Sequence, residues 1–148
     1  SEVTEPTDFC GMTVSTIRAT SYPEAIATFS TENCEPAGLE PITVVEESDV
    51  PQMLINIKTG RVDGAVQGLE SIPAYMANEP DTYKPVGEPI GSALMGMAFN
   101  KPDTVLRDAF VYALKEAIAD GTYDALIEKY QLQLSAYKDV TINGEAIQ

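Results

Sequence analysis

Hydrophobic spacing along this chain switches between a two-residue and a helical period three times before it settles into long amphipathic stretches. Gly11-Met12-Thr13-Val14-Ser15-Thr16-Ile17 sets β-branched residues against polar ones, the alternation of a strand. Arg18 to Glu24 then turns into a helix that Thr20 or Ser21 can cap. Pro23 suits its first turn, and Glu24 supplies a favourable early negative charge. This helix runs through Ala25, Ile26 and Phe29 toward Asn33 until Pro36-Ala37-Gly38 breaks the chain. Pro41-Ile42-Thr43-Val44-Val45-Glu46 predicts the second strand. Ser48 is the expected cap of a second helix, with Pro51 in its first turn and Met53, Leu54 and Ile57 as its buried face.

The stretch Ile57-Lys58-Thr59-Gly60-Arg61-Val62-Asp63-Gly64-Ala65-Val66-Gln67-Gly68 closes that helix and opens the third unit. Lys58 complements the helix dipole, and Gly60 is a left-handed stop. Arg61 to Val66 reads as a buried strand of small and β-branched residues, followed by a short helix from about Glu70 to Met76. Strand–helix repeated three times specifies an α/β fold with a parallel sheet and right-handed crossovers, helices covering both faces. Such sheets bind ligands at the carboxyl ends of their strands, which draws attention to Gln67-Gly68-Leu69-Glu70-Ser71.

Beyond this unit, Lys84-Pro85-Val86-Gly87-Glu88-Pro89 is edge-like, because prolines cannot serve a central strand. Ser92 to Asn100 is an extended apolar segment. Asp103 is expected to cap a long helix with Leu106, Phe110, Ala113, Leu114 and Ala117 on one face. Asp120-Gly121 ends it, and Thr122 is the expected cap of a further helix carrying Leu126, Ile127 and Tyr130. The tail is polar, with a turn-like Thr141-Ile142-Asn143-Gly144.

Composition narrows the function classes. A net charge of −14 repels nucleic acid and anionic membrane surfaces; it serves solubility or, more sharply, attraction of cationic ligands. With no histidine and only two cysteines, zinc, copper and haem sites are not expected. The acidic residues lack a calcium-loop pattern, so no metal or cofactor is predicted. No apolar run approaches the roughly 18 residues of a membrane span. The start, Ser1 to Asp8, is polar and acidic, from which any signal peptide is expected to have been removed. Cys10 precedes a predicted strand and Cys34 follows the next helix, which places both at one end of the unit. Against the alternative of two free thiols, a disulfide and an oxidising compartment are expected.

Ala19-Thr20-Ser21 suits a carboxylate ligand on its own chemistry: free N–H groups, the positive end of the following helix, and two hydroxyls. Ordinary capping is the plainer alternative.

In this order, Phe9-Cys10-Gly11-Met12-Thr13-Val14, Ala19-Thr20-Ser21, Thr59-Gly60-Arg61-Val62-Asp63, Val86-Gly87-Glu88-Pro89, Met95-Gly96-Met97-Ala98-Phe99 and Ala119-Asp120-Gly121-Thr122-Tyr123 resemble a known pattern. It is that of bacterial extracellular solute-binding proteins of the polar amino acid type (family 3), over residues 9–130 and over the portion that contains the second lobe. The frequent cysteine pair of that family looks like Cys10 and Cys34.

The resemblance implies a type II periplasmic-binding-protein lobe over residues 1–94. Residues 95–148 are then a C-terminal segment whose helices normally return to a first lobe that is mostly missing here. It implies an extracytoplasmic component of an ABC importer, in the periplasm or lipid-anchored at the cell surface, that is not an enzyme and needs no cofactor. Its partners are an amino acid or small carboxylate, an ABC permease, and the missing N-terminal lobe or a second copy of the chain. The ligand α-carboxylate is expected at Ala19, Thr20 and Ser21. Many relatives place an ammonium-binding Asp where this chain has Gly68, so Glu70, two residues on, or Gln67 is the expected substitute. The carboxylate-binding arginine of the family belongs to the first lobe, and neither Arg18 nor Arg61 is its equivalent. Hinges are expected near Pro6–Phe9 and Ser92–Gly96. The competing classes are a receptor's ligand-sensing domain, a same-fold lyase, for which Glu70 alone is weak support, and a domain that has lost its binding function.

Overall fold

A computed structural model describes residues 3–147. The chain divides into two compact units, one reaching Ala93 and one beginning at Leu94.

The first unit is built on a three-stranded parallel sheet in the order β2-β1-β3: β1 Thr13–Ile17, β2 Thr43–Glu47 and β3 Gly64–Ala65. Thr13 to Ile17 stand opposite Thr43 to Glu47, and Val14 and Ser15 opposite Gly64 and Ala65. Helix α1 (Tyr22–Phe29) crosses from β1 to β2, and α2 (Val50–Lys58) crosses back past β1 to β3. Those two connections run in opposite directions across the sheet, so right-handed crossovers put α1 and α2 on opposite faces. Burial agrees. Successive side chains of a strand point to opposite faces, yet Val14, Ser15 and Thr16 are all at most 2% exposed. β1 is therefore covered on both sides. Ile26 from α1 and Met53 from α2 fill the two layers, with Val62 and Cys34 completing the buried apolar set.

Local chemistry explains where these elements stop and start. Cys34 ends a π-turn, Ser30–Cys34, that extends α1, and it is joined to Cys10 in a disulfide with Cα atoms 5.6 Å apart. This tie fixes the entrance of β1 to the far end of the α1 segment. Asp49, not the expected Ser48, caps α2: its carboxylate accepts from the Gln52 N–H at 2.9 Å. The Ser48 hydroxyl instead donates to Asp49. Gly60, with φ of +67°, supplies the left-handed stop after α2. The third strand is shorter than the expected Arg61–Val66. At its start, Asp63 donates its N–H to the Thr13 carbonyl and accepts the Thr13 N–H with its carboxylate, so a side chain replaces a backbone rung. Phe9 also lies across the strand: a Cβ on Gly64 would sit 2.6 Å from its ring. The 3₁₀ turn Pro6–Phe9 that carries Phe9 is held by Asp8, which accepts the N–H groups of Thr4 and Glu5 and the Thr4 hydroxyl.

After β3 come a 3₁₀ turn, Leu69–Ser71, and helix α3, Ile72–Asn78. Residues 84–89 form no strand, in keeping with their prolines. The second unit contains α4 (Thr104–Ala119), α5 (Thr122–Lys129) and a hairpin of β4 (Thr141–Ile142) and β5 (Glu145–Ala146). Asn143 and Gly144 turn the hairpin, both with positive φ, the conformation a two-residue loop needs. Thr122 begins α5 rather than capping it; the Asp120 carboxylate accepts its N–H at 2.9 Å. Phe99 packs on Phe110 with ring centroids 5.4 Å apart. The Tyr123 hydroxyl holds both the N–H and the carbonyl of Tyr137, anchoring the tail to α5.

Candidate functional site

Strand order singles out one place. The loops leaving the carboxyl ends of β1 and β3 belong to neighbouring strands, but the connection from β1 departs toward β2. In doubly wound α/β folds ligands bind beyond the carboxyl ends of the strands where the strand order switches direction, which here is the end of β1 and β3. Residues 18–21 follow β1 and residues 66–70 follow β3, so the structure brings both expected groups to this end of the sheet. Thr16 braces the pair from below: its hydroxyl donates to the Val66 carbonyl at 2.9 Å.

On the β1 side, Ala19 takes a left-handed conformation with φ of +59°, uncommon for a residue with a Cβ and costing about 1–2 kcal/mol. Thr20 secures the bend by donating its hydroxyl to the Ile17 carbonyl at 2.6 Å and accepting the Tyr22 N–H at 3.3 Å. Thr20 therefore fulfils a capping role. Ser21 occupies the N-cap position, and its side chain makes no capping hydrogen bond. Pro23 has no N–H, and those of Ser21 and Glu24 have no partner among the described residues. The contrast with β2 is chemical. The helix after β2 has a carboxylate, Asp49, hydrogen-bonded to an N-terminal N–H group; the helix after β1 has Glu24 in its first turn but no carboxylate bonded to its N–H groups. An external anion finds unoccupied donors only at the latter.

On the β3 side, Gln67 turns inward, its amide 3.3 Å from the Met53 sulfur. It faces the core rather than the end of the sheet. Gly68 is extended, with φ of −62° and ψ of 137°, and its carbonyl accepts the Ser71 N–H at 3.0 Å. Glu70 is exposed, and its carboxylate folds back over Gly68. Sequence reasoning missed Thr16 and Asn56, the polar side chains that set the loop positions. Asn56 is 5% exposed on the inner face of α2. It donates to Glu47 and accepts from Gln52, while its carbonyl takes the N–H groups of Arg61 and Val62. A polar residue at a helix position otherwise reserved for apolar ones was the available signal.

Among the described residues no group of three or more metal-ligating side chains occurs, and no helix is long and apolar enough to cross a membrane. A separate cleft of about 480 Å³ lies in the second unit, between Lys115 and Ile118 of α4 and the hairpin.

A parallel sheet with helices on both faces and this strand order is the architecture of a periplasmic-binding-protein lobe, and comparison with known proteins agrees. No family model matches the chain. Over 110 residues it is 30% identical to the histidine-binding periplasmic proteins of Salmonella typhimurium and Escherichia coli K12, covering 70% of this chain and 41% of each relative. An ancestral arginine-binding protein bound to arginine superposes with a TM-score of 0.65 at 25% identity, over 88% of this chain and 55% of that one. The chain is thus similar in sequence and in fold to amino-acid-binding periplasmic proteins, and it spans about two fifths of the length of the curated relatives it matches.

Proposed function

We propose that this chain is the ligand-binding lobe of an extracytoplasmic solute-binding protein that serves an ABC importer. It takes an amino acid or a related small carboxylate at the carboxyl end of its sheet. The observation that carries this reading is the open N-terminus of α1 at the switch point, in a chain homologous to histidine-binding periplasmic proteins. The ligand carboxylate sits at Ala19, Thr20 and Ser21, with the remaining contacts from Gly68 and Glu70. Gln67 supports the β3 loop from the core side. The Cys10–Cys34 disulfide suits an oxidising, extracytoplasmic setting.

In this reading the other wall of the site comes from a first lobe, or from a second copy of the chain, and closure of the two is read by the membrane permease. Hinge motion falls on residues 6–9 and 92–96. The relatives are binding proteins rather than enzymes, and this chain is read as non-catalytic. Because this lobe supplies one wall only, thermal-shift screening with the twenty standard amino acids and a set of small organic anions, on the chain completed with a first lobe, tests the proposal. A rise in melting temperature with one amino acid supports it. Indifference to every amino acid and every anion overturns it.

A further inference from the structure

The hairpin of the second unit turns on a chemically reactive pair. Asn143 and Gly144 are its two turn residues, with φ of +52° and +83°, and both are exposed. The side-chain amide carbon of an asparagine is an electrophile within reach of the next residue's backbone nitrogen. Glycine in that next place removes the side chain that otherwise hinders the approach. A Cβ on Gly144 would meet nothing within 4 Å, so no neighbour crowds it.

Three positions set a glycine after an aspartate or asparagine: Asp63-Gly64, Asp120-Gly121 and Asn143-Gly144. Their surroundings separate them. Asp63 accepts the Thr13 N–H at 2.8 Å, and the Phe9 ring lies against Gly64. Asp120 accepts the Thr122 N–H at 2.9 Å, and the Thr122 hydroxyl and N–H together favour its ionised form. An ionised carboxylate is a poor electrophile, whereas an amide needs no proton to react. The Asn143 side chain has no hydrogen bond among the described residues. Little holds the turn closed. β4 and β5 pair through two residues each, Thr141 opposite Ala146 and Ile142 opposite Glu145. A two-stranded hairpin this short is marginal by itself, so the turn opens often and its asparagine samples the geometry that ring closure needs.

We propose that Asn143 is a site of spontaneous deamidation, through a cyclic imide formed with Gly144. The Gly144 nitrogen bonds to the Asn143 side-chain carbonyl carbon. The bond from that carbon to the amide nitrogen breaks, and ammonia leaves with the proton that Gly144 gives up. Water then opens the five-membered ring at either carbonyl, leaving aspartate or isoaspartate. Either product adds one negative charge to a chain already at −14. Aspartate tolerates a positive φ, so the turn survives it. Isoaspartate carries an extra methylene in the main chain, which a two-residue turn cannot hold without shifting the strand pairing. The hairpin is one wall of the cleft beside Lys115 and Ile118, so isoaspartate reshapes that cleft.

The test holds the whole chain at neutral pH and physiological temperature, with a synthetic peptide of residues 139–147 as the unfolded reference. Digestion and electron-transfer mass spectrometry then separate isoaspartate from aspartate at each position. Isoaspartate should accumulate at position 143 within about tenfold of the peptide rate, because the folded rate is that rate multiplied by the fraction of time the turn is open. Asn143→Gln should abolish the signal, since its longer side chain closes a less favourable six-membered ring. A folded chain that falls below this range while the peptide reacts overturns the proposal, because the hairpin then shields the amide. So does isoaspartate arising at position 63 or 120 as fast as at 143. Aspartate at 143 without isoaspartate overturns the imide route and the proposal with it.

Discussion

Ser15 and Thr16 are consecutive on the central strand, equally buried, and opposite in their hydrogen-bonding position. The Thr16 hydroxyl has the Val66 carbonyl; the Ser15 hydroxyl has no partner among the described residues. A buried hydroxyl without a partner carries its desolvation cost with no return, whereas a bonded one holds its acceptor as well. Ser15→Ala is accordingly expected to be neutral or to stabilise by up to about 1 kcal/mol, and Thr16→Val to destabilise by about 1–2 kcal/mol. Urea unfolding of the two variants checks the pair; equal effects would contradict it. Asp120 acts at a helix junction. The Thr122 hydroxyl and N–H hold its carboxyl below the ordinary aspartate range. A lowered folded-state pKa gives stability that is present above the unfolded value and lost as pH falls through the folded one. Asp120→Asn should therefore melt slightly below the wild type at neutral pH. The gap should close in acid, in melting curves collected across that range.

At the scale of elements, the crossings β1–α1–β2 and β2–α2–β3 can be read in the chain, because apolar periodicity changes at each boundary and Pro23, Pro51 and Gly60 punctuate it. The ends are less legible. Ser48 and Thr122 are good capping types, but the neighbouring carboxylates of Asp49 and Asp120 accept the helix N–H groups instead, since a charged acceptor makes the stronger bond. The length of β3 was hidden for a different reason. Asp63 and Phe9 take over its first residues, and neither contact has a local sequence signature. The disulfide joins the entrance of β1 to the end of the α1 segment. Replacing both cysteines with serine should cost about 3 kcal/mol, the loop-closure entropy returned to the unfolded chain. Chemical denaturation of the reduced and oxidised protein measures the same quantity independently. A difference below about 1 kcal/mol would show that the tie adds little.

For the molecule as a whole, the two units differ in how completely they bury their apolar residues. Every fully buried residue among those described lies before Leu94. In the second unit Met95, Val105 and Leu134 are each more than 80% exposed, and Leu106, Phe110, Leu126 and Tyr130 are between 44% and 56% exposed. If these residues form one contiguous patch, apolar surface on this scale is the kind a partner covers. The chain is expected to enhance the fluorescence of a hydrophobic dye. Val105→Glu with Leu106→Lys should reduce that signal while leaving the melting temperature of the first unit within about 2 °C, because these side chains contribute little burial. Sedimentation tests whether the same surface drives self-association. A monomer that binds no dye would exclude both a second copy and a separately supplied lobe as its partner.

Sequence alone was sufficient for the α/β class, the parallel sheet and the cysteine pairing. All three follow from periodicity, turn chemistry and spacing, which are local properties or simple consequences of them. Tertiary structure alone decided that the α1 N-terminus is open while that of α2 is already occupied. It alone turned Gln67 toward Met53 and laid the Glu70 carboxylate over Gly68. Those outcomes depend on which side chain reaches an unpaired group first once strands distant in sequence lie side by side. No window of neighbouring residues contains that competition.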